Sequence, residues 1–456
     1  MDWDVLLPSY NVKPYIRECL DSVIGQTLSD IEILCIDAGS DDGTFEILEE
    51  YSQRDNRIRV IKSNKKSYGY QMNLGIKEAR GRYIGIVETD DYIEPTMFEI
   101  LYNEIRKYDV DMVKAIPWNI YELDNNETLK IPNDYIPEVQ ATDIPFKTNN
   151  NPAIHFWDGN IWNGLYDRFF ILENNITFLE TPGAAFQDIG FSQQALNKAD
   201  SIVYLRVHLY NYRIFRRGAS IMSKDCLHNV RVEYEWLLEH GELKEISLPF
   251  VYRRMLQAFF LEMEKATYVC DFEENKIPYP EDIDWFRDRL LSILRNDPTM
   301  IERLDSRNRE NLKLFMGDRT KWFDKQKTRM DVTTEWFKNL KKRIADGELV
   351  VFGAGNYGVS VLHFLAKNGI APAAFADNDI LLQGKTIYDI PVINADEAFA
   401  WHREAFYLIA NRKFGYDIRN QLVRKGIDED RIEILDGKDA DLIEGIRRMR
   451  IPVKEM

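Results

Sequence analysis

The chain has 456 residues, of which 45% are hydrophobic and 29% are charged, and its formal net charge is -16. This length predicts two to three domains, and the composition is that of a soluble globular protein. The acidic balance argues against a nucleic-acid-binding protein, which would need a basic face.

Neither a membrane span nor a disulfide framework is predicted. No apolar run approaches the length needed to cross a bilayer. The four cysteines are scattered, with no CxxC pair and no secretory leader. Cys19 and Cys35 fall in apolar patterns, so we expect them to be reduced core residues. A cytoplasmic protein is therefore expected, with contact to the inner face of the membrane left open and the oligomeric state undetermined.

The N-terminal region alternates short apolar runs with amphipathic segments, which predicts a parallel, doubly wound α/β sheet. Polar segments follow three of the apolar runs, and the carboxyl ends of parallel strands share one edge of a sheet. The predicted strands are Val5–Leu7, Ile31–Ile36, Ile58–Ile61 and Tyr83–Val87, and the predicted helices include Pro14–Gln26 and Gly69–Arg80.

Three acids follow the strand at Tyr83, namely Glu88, Asp90 and Asp91. Like charges this close together repel one another, and a divalent cation compensates for them. Mg²⁺ and Mn²⁺ prefer carboxylate oxygens together with substrate phosphates. The alternative is an acidic cap on the following helix, with Asp90 or Asp91 accepting from free amides. This stretch alone leaves both interpretations open.

Six motifs stand in order along about the first 220 residues, namely PSYN (8–11), IDAGSDDGT (36–44), ETDDYIEP (88–95), WNGLYDRFFI (162–171), FQDIGF (186–191) and YNYRIFRRGASI (210–221). In this ordered set of motifs the sequence resembles the family 2 glycosyltransferases, whose fold is called GT-A. The resemblance implies a nucleotide-sugar donor at the sheet edge, a Mn²⁺ or Mg²⁺ ion held against the donor diphosphate, and a later carboxylate that deprotonates an acceptor hydroxyl.

The resemblance also implies roles for individual residues. Asp90 matches the second acid of the metal-binding motif, with Asp91 and Glu88 as further ligands. Asp188 matches the general base, which implies a single displacement with inversion. Tyr10 would stack on uracil, the base of the donor. The other implied donor-binding residues are Pro8, Asp37, Asn73, Arg216 and Arg217.

Residues 223–344 lack strand patterns and carry apolar residues at spacings of three and four, which predicts amphipathic helices. We expect a helical connector between a transferase domain at 1–222 and a third segment at 345–456. No partner can be assigned to the connector from these patterns.

The third segment begins a second, smaller α/β pattern. A strand at Glu348–Phe352 runs into a GxGxxG turn whose glycines are Gly353, Gly355 and Gly358, followed by a helix. Asp377 follows the next strand, near the spacing expected of a ribose-binding acid, which favours NAD or a similar nucleotide. The segment resembles Rossmann-like domains of polysaccharide-biosynthesis proteins. No Tyr-x-x-x-Lys follows, so binding is favoured over dehydrogenase activity.

Three functions therefore remain to be separated. The leading one is a metal-dependent inverting transferase that moves a sugar to a hydroxyl of a surface or capsular polysaccharide or of a lipid-linked precursor. The second is an oxidoreductase-like protein that binds NAD or a nucleotide sugar. The third is a non-catalytic sugar-binding homologue, motivated by Ala38 and Met72, which stand where the family usually has an acid and an arginine.

Overall fold

The structure is a computed structural model, and it describes residues 2–133, 142–214, 223, 225–270, 273, 276–345, 347–448 and 453. The contacts divide the chain into two compact units. The first contains Met1–Asn119 and Pro132–Gly317, and the second contains Ile120–Ile131 and Asp318–Met456.

The first unit begins with the predicted alternation of strands and helices. Its elements are β1 (Trp3–Ser9), α1 (Ile16–Ile24), β2 (Glu32–Asp37), α2 (Thr44–Arg54), β3 (Ile58–Lys62), α3 (Tyr68–Glu78) and β4 (Tyr83–Ile86). Strand β1 pairs in parallel with β2 and β4, and β2 pairs in parallel with β3. Every residue of β1 is buried, because layers cover both faces of a parallel sheet. The predicted α/β class is confirmed.

The rest of this sheet is largely antiparallel, which the sequence did not predict. The chain continues through β5 (Tyr92–Ile93), α4 (Met97–Tyr108), β6 (Met112–Glu122), β7 (Thr128–Pro132), α5 (Ile154–Trp157), β8 (Gly164–Asp167), α6 (Arg168–Glu173), α7 (Gln187–Lys198) and β9 (Ile202–Arg213). The strand order is β3-β2-β1-β4-β8-β6-β9-β5. Strand β8 pairs antiparallel with β4 and β6, and β5 pairs antiparallel with β9. The β5–β9 pair fixes the position of the loop that carries the acids.

A helical segment completes the first unit. It comprises α8 (Cys226–His240), α9 (Leu248–Val269), α10 (Pro280–Asn296), α11 (Met300–Arg303) and α12 (Ser306–Gly317). Helix α8 packs on α7 and α9, and α9 packs on α5. The contacts thus assign most of the predicted connector to the first unit and its last helix to the second.

The second unit contains a smaller sheet of order β12-β13-β11-β10-β14-β15. Its elements are α13 (Arg319–Ile344), β10 (Leu349–Phe352), α14 (Asn356–Lys367), β11 (Ala374–Ala376), β12 (Thr386–Ile387), β13 (Ile390–Ile393), α15 (Ala395–Trp401), β14 (Phe406–Ile409), α16 (Gly415–Arg424), β15 (Ile432–Ile434) and α17 (Ala440–Arg448). All of its strands except β12 pair in parallel. This confirms the predicted second α/β sheet.

Two predictions about composition can be compared with the structure. All four cysteines are buried and none forms a disulfide, as expected for Cys19 and Cys35. Among the helices of the described ranges, none is long and apolar enough to cross a bilayer.

Candidate active site

The ends of β1, β2 and β4 bring three polar loops together at one edge of the first unit's sheet. Register pairs Ser9 with Asp37 at the ends of the first two strands. The Thr89 hydroxyl, just after β4, donates to the carbonyl oxygen of Pro8 at 2.7 Å. The predicted convergence of these loops therefore follows directly from the parallel pairing. The Pro8 carbonyl is engaged within the protein.

Glu88, Asp90 and Asp91, called here the strand-end acids, lie in different environments. Asp91 is 1% exposed, and its carboxylate accepts from the Tyr210 hydroxyl at 2.9 Å and from the Arg213 amide at 2.8 Å. Burial, reinforced by the charge of Asp90, raises the pKa of Asp91 well above its usual range. Asp91 thus braces the loop against β9, while Asp90 is only partly buried.

Arg213 holds the same loop by its main chain and its side chain. Its guanidinium donates to the carbonyl oxygen of Asp90 at 2.6 Å and pairs with Glu18. The guanidinium carbon lies 5.3 Å from the ring centre of Tyr15 and 5.0 Å from that of Tyr92. Because the Asp90 backbone is fixed in this way, its carboxylate projects from a rigid position.

The charges of Asp188 and of strand-end acids act on the same two tyrosines, Tyr68 and Tyr212. The Tyr68 hydroxyl donates to the Glu88 carboxylate at 2.5 Å. Burial raises the pKa of Tyr68, and the charges of Glu88, Asp188 and Asp90 raise it further. Burial likewise raises the pKa of Tyr212, followed by the charges of all three strand-end acids and Asp188. Asp188 therefore shares one electrostatic environment with acids about one hundred residues earlier in the chain.

Asp188 stands in the first turn of α7 and is partly buried. Burial raises the pKa of its carboxyl, whereas the positive charge of Arg254 lowers it. Arg254 lies on α9 and donates to the carbonyl oxygen of Phe156 at 2.9 Å. A β-carbon on Gly159 would come within 1.7 Å of the Arg254 guanidinium, so the glycine leaves the space that this side chain fills.

A second buried carboxyl supports the helix that carries Asp188. Glu233 of α8 is 2% exposed and accepts from the Gly190 amide at 2.9 Å. Burial raises the pKa of Glu233 to about 8, and the charge of Asp188 adds to this rise. A β-carbon on Gly190 would lie 2.4 Å from the Glu233 carboxylate and 2.8 Å from the Trp236 ring. Helix α8 therefore approaches the first turn of α7 closely because Gly190 has no side chain.

The other predicted donor-binding residues differ in what they contact. Tyr10 is 42% exposed, so its ring is available to a stacking partner. The Asp37 carboxylate is 2% exposed and accepts from two backbone amides and one hydroxyl of its own turn. The Asn73 amide exchanges hydrogen bonds with the main chain of Phe178. Arg216 and Arg217 lie outside the described residues. The roles of these residues stay predictions.

Sequence reasoning missed the residues that surround the acids. Tyr68 is a single aromatic residue in an ordinary pattern, and Tyr212 and Arg213 belong to the motif at 210–221 but were given no role. Glu233 and Arg254 lie in a segment interpreted as a connector. The only signal in the sequence was the spacing of the YNYR run, in which alternate residues of a strand face the same side. Only the antiparallel pairing of β5 with β9, which opposes Tyr92 and Asn211, brings that run to the acids.

The site fits a divalent cation that takes most of its ligands from a substrate. In the part of the chain that the structure describes, no group of three or more His, Cys, Asp or Glu side chains could hold a metal ion. Magnesium and similar ions, however, are often held by one or two carboxylates plus substrate phosphates. The partly exposed Asp90 supplies such a ligand, whereas both oxygens of Asp91 accept hydrogen bonds.

The glycine-rich turn of the second unit lies between β10 and α14, as predicted. Gly353 has a φ of 116°, and a β-carbon on Gly358 would lie 1.8 Å from the Gly353 carbonyl oxygen. Both glycines are thus required by backbone geometry, whereas Gly355 faces open space. The Asp377 carboxylate accepts from the Ala354 amide at 2.7 Å and from a second amide two residues after itself. In this arrangement Asp377 orders the turn.

Comparisons with known proteins add to this description. Residues 4–175 match the family described as Glycosyl transferase family 2. The chain is 35% identical over 216 residues to "Uncharacterized glycosyltransferase EpsJ" of Bacillus subtilis, a match that covers 46% of this chain and 60% of that protein. It is 31% identical over 227 residues to "Glycosyltransferase GlyG" of Streptococcus pneumoniae, covering 48% of this chain and 73% of that protein.

Solved structures show a similar fold. The crystal structure of S. aureus TarS residues 1–349 in complex with UDP-GlcNAc has a TM-score of 0.52 and 19% sequence identity. The similarity covers 72% of this chain and 90% of that chain. At this level of sequence identity, the similarity shows a shared fold and nothing further.

Proposed function

The chain belongs to glycosyl transferase family 2, and we propose that it moves a sugar from a nucleotide-sugar donor to a hydroxyl group of a glycan. The acceptor would be a surface or capsular polysaccharide or a lipid-linked precursor. The observation that carries this proposal is that Tyr68 contacts both regions: its hydroxyl donates to Glu88, and its amide donates to the carbonyl oxygen of Gly183 in the segment before Asp188. The charges of Asp188, Glu88 and Asp90 all raise the pKa of Tyr68. Such an arrangement provides, within one site, a carboxylate that can bind a cation and a second carboxylate that can deprotonate an acceptor hydroxyl.

Asp90 would hold a divalent cation, Mn²⁺ or Mg²⁺, together with the donor diphosphate. A bound ion supplies neutralisation of the negative charge that develops on the leaving diphosphate. The protein's part is to fix Asp90 through Arg213 and to keep Asp91 buried and hydrogen-bonded behind it. Glu88, held by Tyr68, would contribute negative charge beside the ion.

Asp188 would act as the general base. Its carboxylate takes the proton from the acceptor hydroxyl as that oxygen bonds to the anomeric carbon and the bond to the diphosphate breaks. Arg254 favours the ionised form that this step requires. The sequence indicates no second carboxylate as a nucleophile, so one displacement with inversion of configuration is the proposed course.

For the second unit we propose nucleotide binding without hydride transfer. The glycine-rich turn opens α14, so backbone amides and the helix dipole favour a phosphate group there. Asp377 orders this turn, so NAD as the specific ligand remains a prediction. Titration with NAD and NADH tests it, and reduction of NAD in the presence of a sugar nucleotide would support the oxidoreductase alternative.

Calorimetric titration with UDP, GDP and CDP, with and without Mn²⁺, tests the transferase proposal. Binding should require the ion and should be lost in Asp90→Asn, which removes a charged ligand while keeping the shape of the side chain. Asp109→Asn, at the αL cap of α4, is a control of the same chemistry at an exposed position. Metal-dependent binding that survives in Asp90→Asn would contradict the assignment of Asp90.

Turnover separates the transferase from a non-catalytic homologue. Sugar nucleotides of each nucleoside diphosphate that binds in the titration are incubated with Mn²⁺ and candidate acceptors. Release of the nucleoside diphosphate is then measured. Release in the wild type that falls in Asp188→Asn supports the proposal. Tight binding with no release under any of these conditions would favour the sugar-binding homologue.

A further inference from the structure

Lys114 of β6 forms a buried ion pair that the proposed mechanism does not use. Its side chain is 1% exposed, and its ammonium pairs with the carboxylate of Asp158, which is 0% exposed. The same ammonium donates to the carbonyl oxygen of Asn160 at 2.5 Å. Because two charges must lose their water to form it, a buried ion pair is often no more stabilising than apolar side chains of similar volume. Stability alone therefore does not explain this pair.

Arg254 of α9 is bound to the same short segment, residues 156–160. Its guanidinium donates to the carbonyl oxygen of Phe156 at 2.9 Å. It also fills the space above Gly159, where a β-carbon would lie within 1.7 Å of it. Gly159 adjoins Asp158, so the guanidinium stands beside the residue that carries the buried carboxylate. Two cations are thus held by five consecutive residues.

The 156–160 segment is also attached to the helix that carries Asp188. The Gln193 side chain of α7 donates to the carbonyl oxygen of Asp158 at 3.3 Å. The Asn160 amide donates to the Asp158 carboxylate at 3.2 Å, which closes the segment on itself. Asp188 and Gln193 belong to the same helix. The segment, its two cations and the proposed base are therefore parts of one packed region.

Two cations, Lys114 and Arg254, and two carboxylates, Asp158 and Asp188, interact in this region. Burial lowers the pKa of the Lys114 ammonium, the charge of Asp158 opposes this, and the charge of Arg254 lowers it further. Arg254 also lowers the pKa of Asp188. With Lys114 on Asp158, the charge of Arg254 is left for Asp188. Without Lys114, Asp158 would be a buried carboxylate that has lost its cation, and the guanidinium beside it would turn toward it.

The other titratable groups near Asp188 come from four further elements. They are Glu233 and Tyr234 of α8, Tyr68 of α3, Tyr212 of β9 and His155 of α5. Burial raises the pKa of Glu233 to about 8 and also raises the pKa of each tyrosine, and it lowers the pKa of His155 to about 4. All five are therefore uncharged between these two pH values. The strand-end acids, which act on Tyr68 and Tyr212, stay unchanged in every variant below.

We propose that Lys114 is a positioning residue for the transfer reaction, because it pairs with Asp158 and thereby leaves Arg254 to stabilise the ionised carboxylate of Asp188. This role rests on the proposed function, since it concerns the base of that reaction. Lys114 is too buried to contact a substrate, and it acts through Arg254.

The first test is the pH dependence of kcat/KM in Lys114→Met, which keeps the length of the side chain and removes its charge. Arg254 should then pair with Asp158. The acidic limb should move up by about one pH unit, because a nearby opposite charge lowers the pKa of a carboxyl by about that much or more. On this limb kcat/KM should fall about tenfold.

Removing the competing carboxylate provides the rescue. The double variant Lys114→Met/Asp158→Asn should return the acidic limb to its wild-type position, because no carboxylate is left to attract Arg254. Asp158→Asn alone should not raise the limb, for the same reason. If Lys114→Met does not fold, a folded double variant with the wild-type limb would show that the unpaired Asp158 was the cause.

Lys265→Met is the matched control, because Lys265 forms another buried ion pair, with Glu262 at 2.6 Å. It lies about three turns along α9 from Arg254. This variant should lose stability in urea denaturation without moving the acidic limb. A crystal structure of Lys114→Met adds a measurement that needs no activity. In it the guanidinium of Arg254 should have left the Phe156 carbonyl oxygen for the Asp158 carboxylate.

Each of three results would overturn the inference. The first is an acidic limb that stays in place in folded Lys114→Met, or a guanidinium that stays on Phe156 in its crystal structure. The second is a limb that rises in Asp158→Asn or in the double variant, which would indicate damaged packing. The third is an equal rise in Lys265→Met. Wild-type protein without turnover would instead contradict the proposed function, and the crystal structure would still test the pairing of Arg254.

Discussion

Glu233 provides a quantitative test of how the helical segment supports the active site. Its carboxyl is 2% exposed and accepts from the Gly190 amide beside Asp188. Burial raises the pKa of Glu233 from 4.5 to about 8. Each factor of ten in an ionisation constant is worth about 1.4 kcal/mol, so ionising this side chain in the folded protein costs up to about 5 kcal/mol.

The sign of the effect follows from proton binding. Between pH 4.5 and about 8 the folded protein retains a proton on Glu233 that the unfolded chain has released. The contribution of this group to the free energy of unfolding is therefore fully present below pH 4.5 and is lost as the pH rises to about 8. Glu233→Gln cannot ionise, and its amide oxygen still accepts from Gly190. The variant should match the wild type near pH 4.5 and exceed its stability by a few kcal/mol above pH 8.

Urea denaturation at several pH values from about 5 to about 9 measures this difference. Glu239→Gln, an exposed position on the same helix, is the matched control and should follow the wild type at every pH. If the stability of Glu233→Gln changes with pH in parallel with that of the wild type, Glu233 ionises normally in the folded protein. The reasoning from its burial would then be wrong.

Three further changes test the residues around Asp188. Asp188→Asn should lower turnover about 10²-fold or more with little change in UDP affinity, and a parallel loss of both would indicate a structural role. Arg254→Met should move the acidic limb of the kcat/KM pH profile to higher pH, because the charge that lowers the pKa of Asp188 is removed; an unchanged limb would show that Arg254 does not act on the base. Gly190→Ala should reduce stability by about 1–3 kcal/mol, because its β-carbon would meet the Glu233 carboxylate at 2.4 Å; wild-type stability in thermal unfolding would contradict the close packing of α8.

Much of the fold was determined by local patterns in the sequence. The apolar runs at β1, β2 and β4 are short and, apart from the first residue of β2, buried, so their composition identifies them as parallel strands. Parallel strands place their carboxyl ends together, and this alone predicted that the loops after Leu7, Ile36 and Val87 meet. The glycine-rich turn between β10 and α14 was also predicted from a local pattern, the GxGxxG spacing. This pattern is local because the backbone geometry of the turn itself requires Gly353 and Gly358.

The tertiary structure decided which side chains surround the acids. Tyr210 and Arg213 reach Asp91 through an antiparallel pairing between strands that lie more than one hundred residues apart, and no local pattern encodes such a register. Glu233 and Arg254 belong to helices whose periodicity shows an apolar face but not the surface that this face covers. Their roles beside Asp188 depend on close packing of Glu233 against Gly190 and of Arg254 against Gly159. The sequence does not show that these two positions must be glycine, because the side chains that need the space come from distant helices.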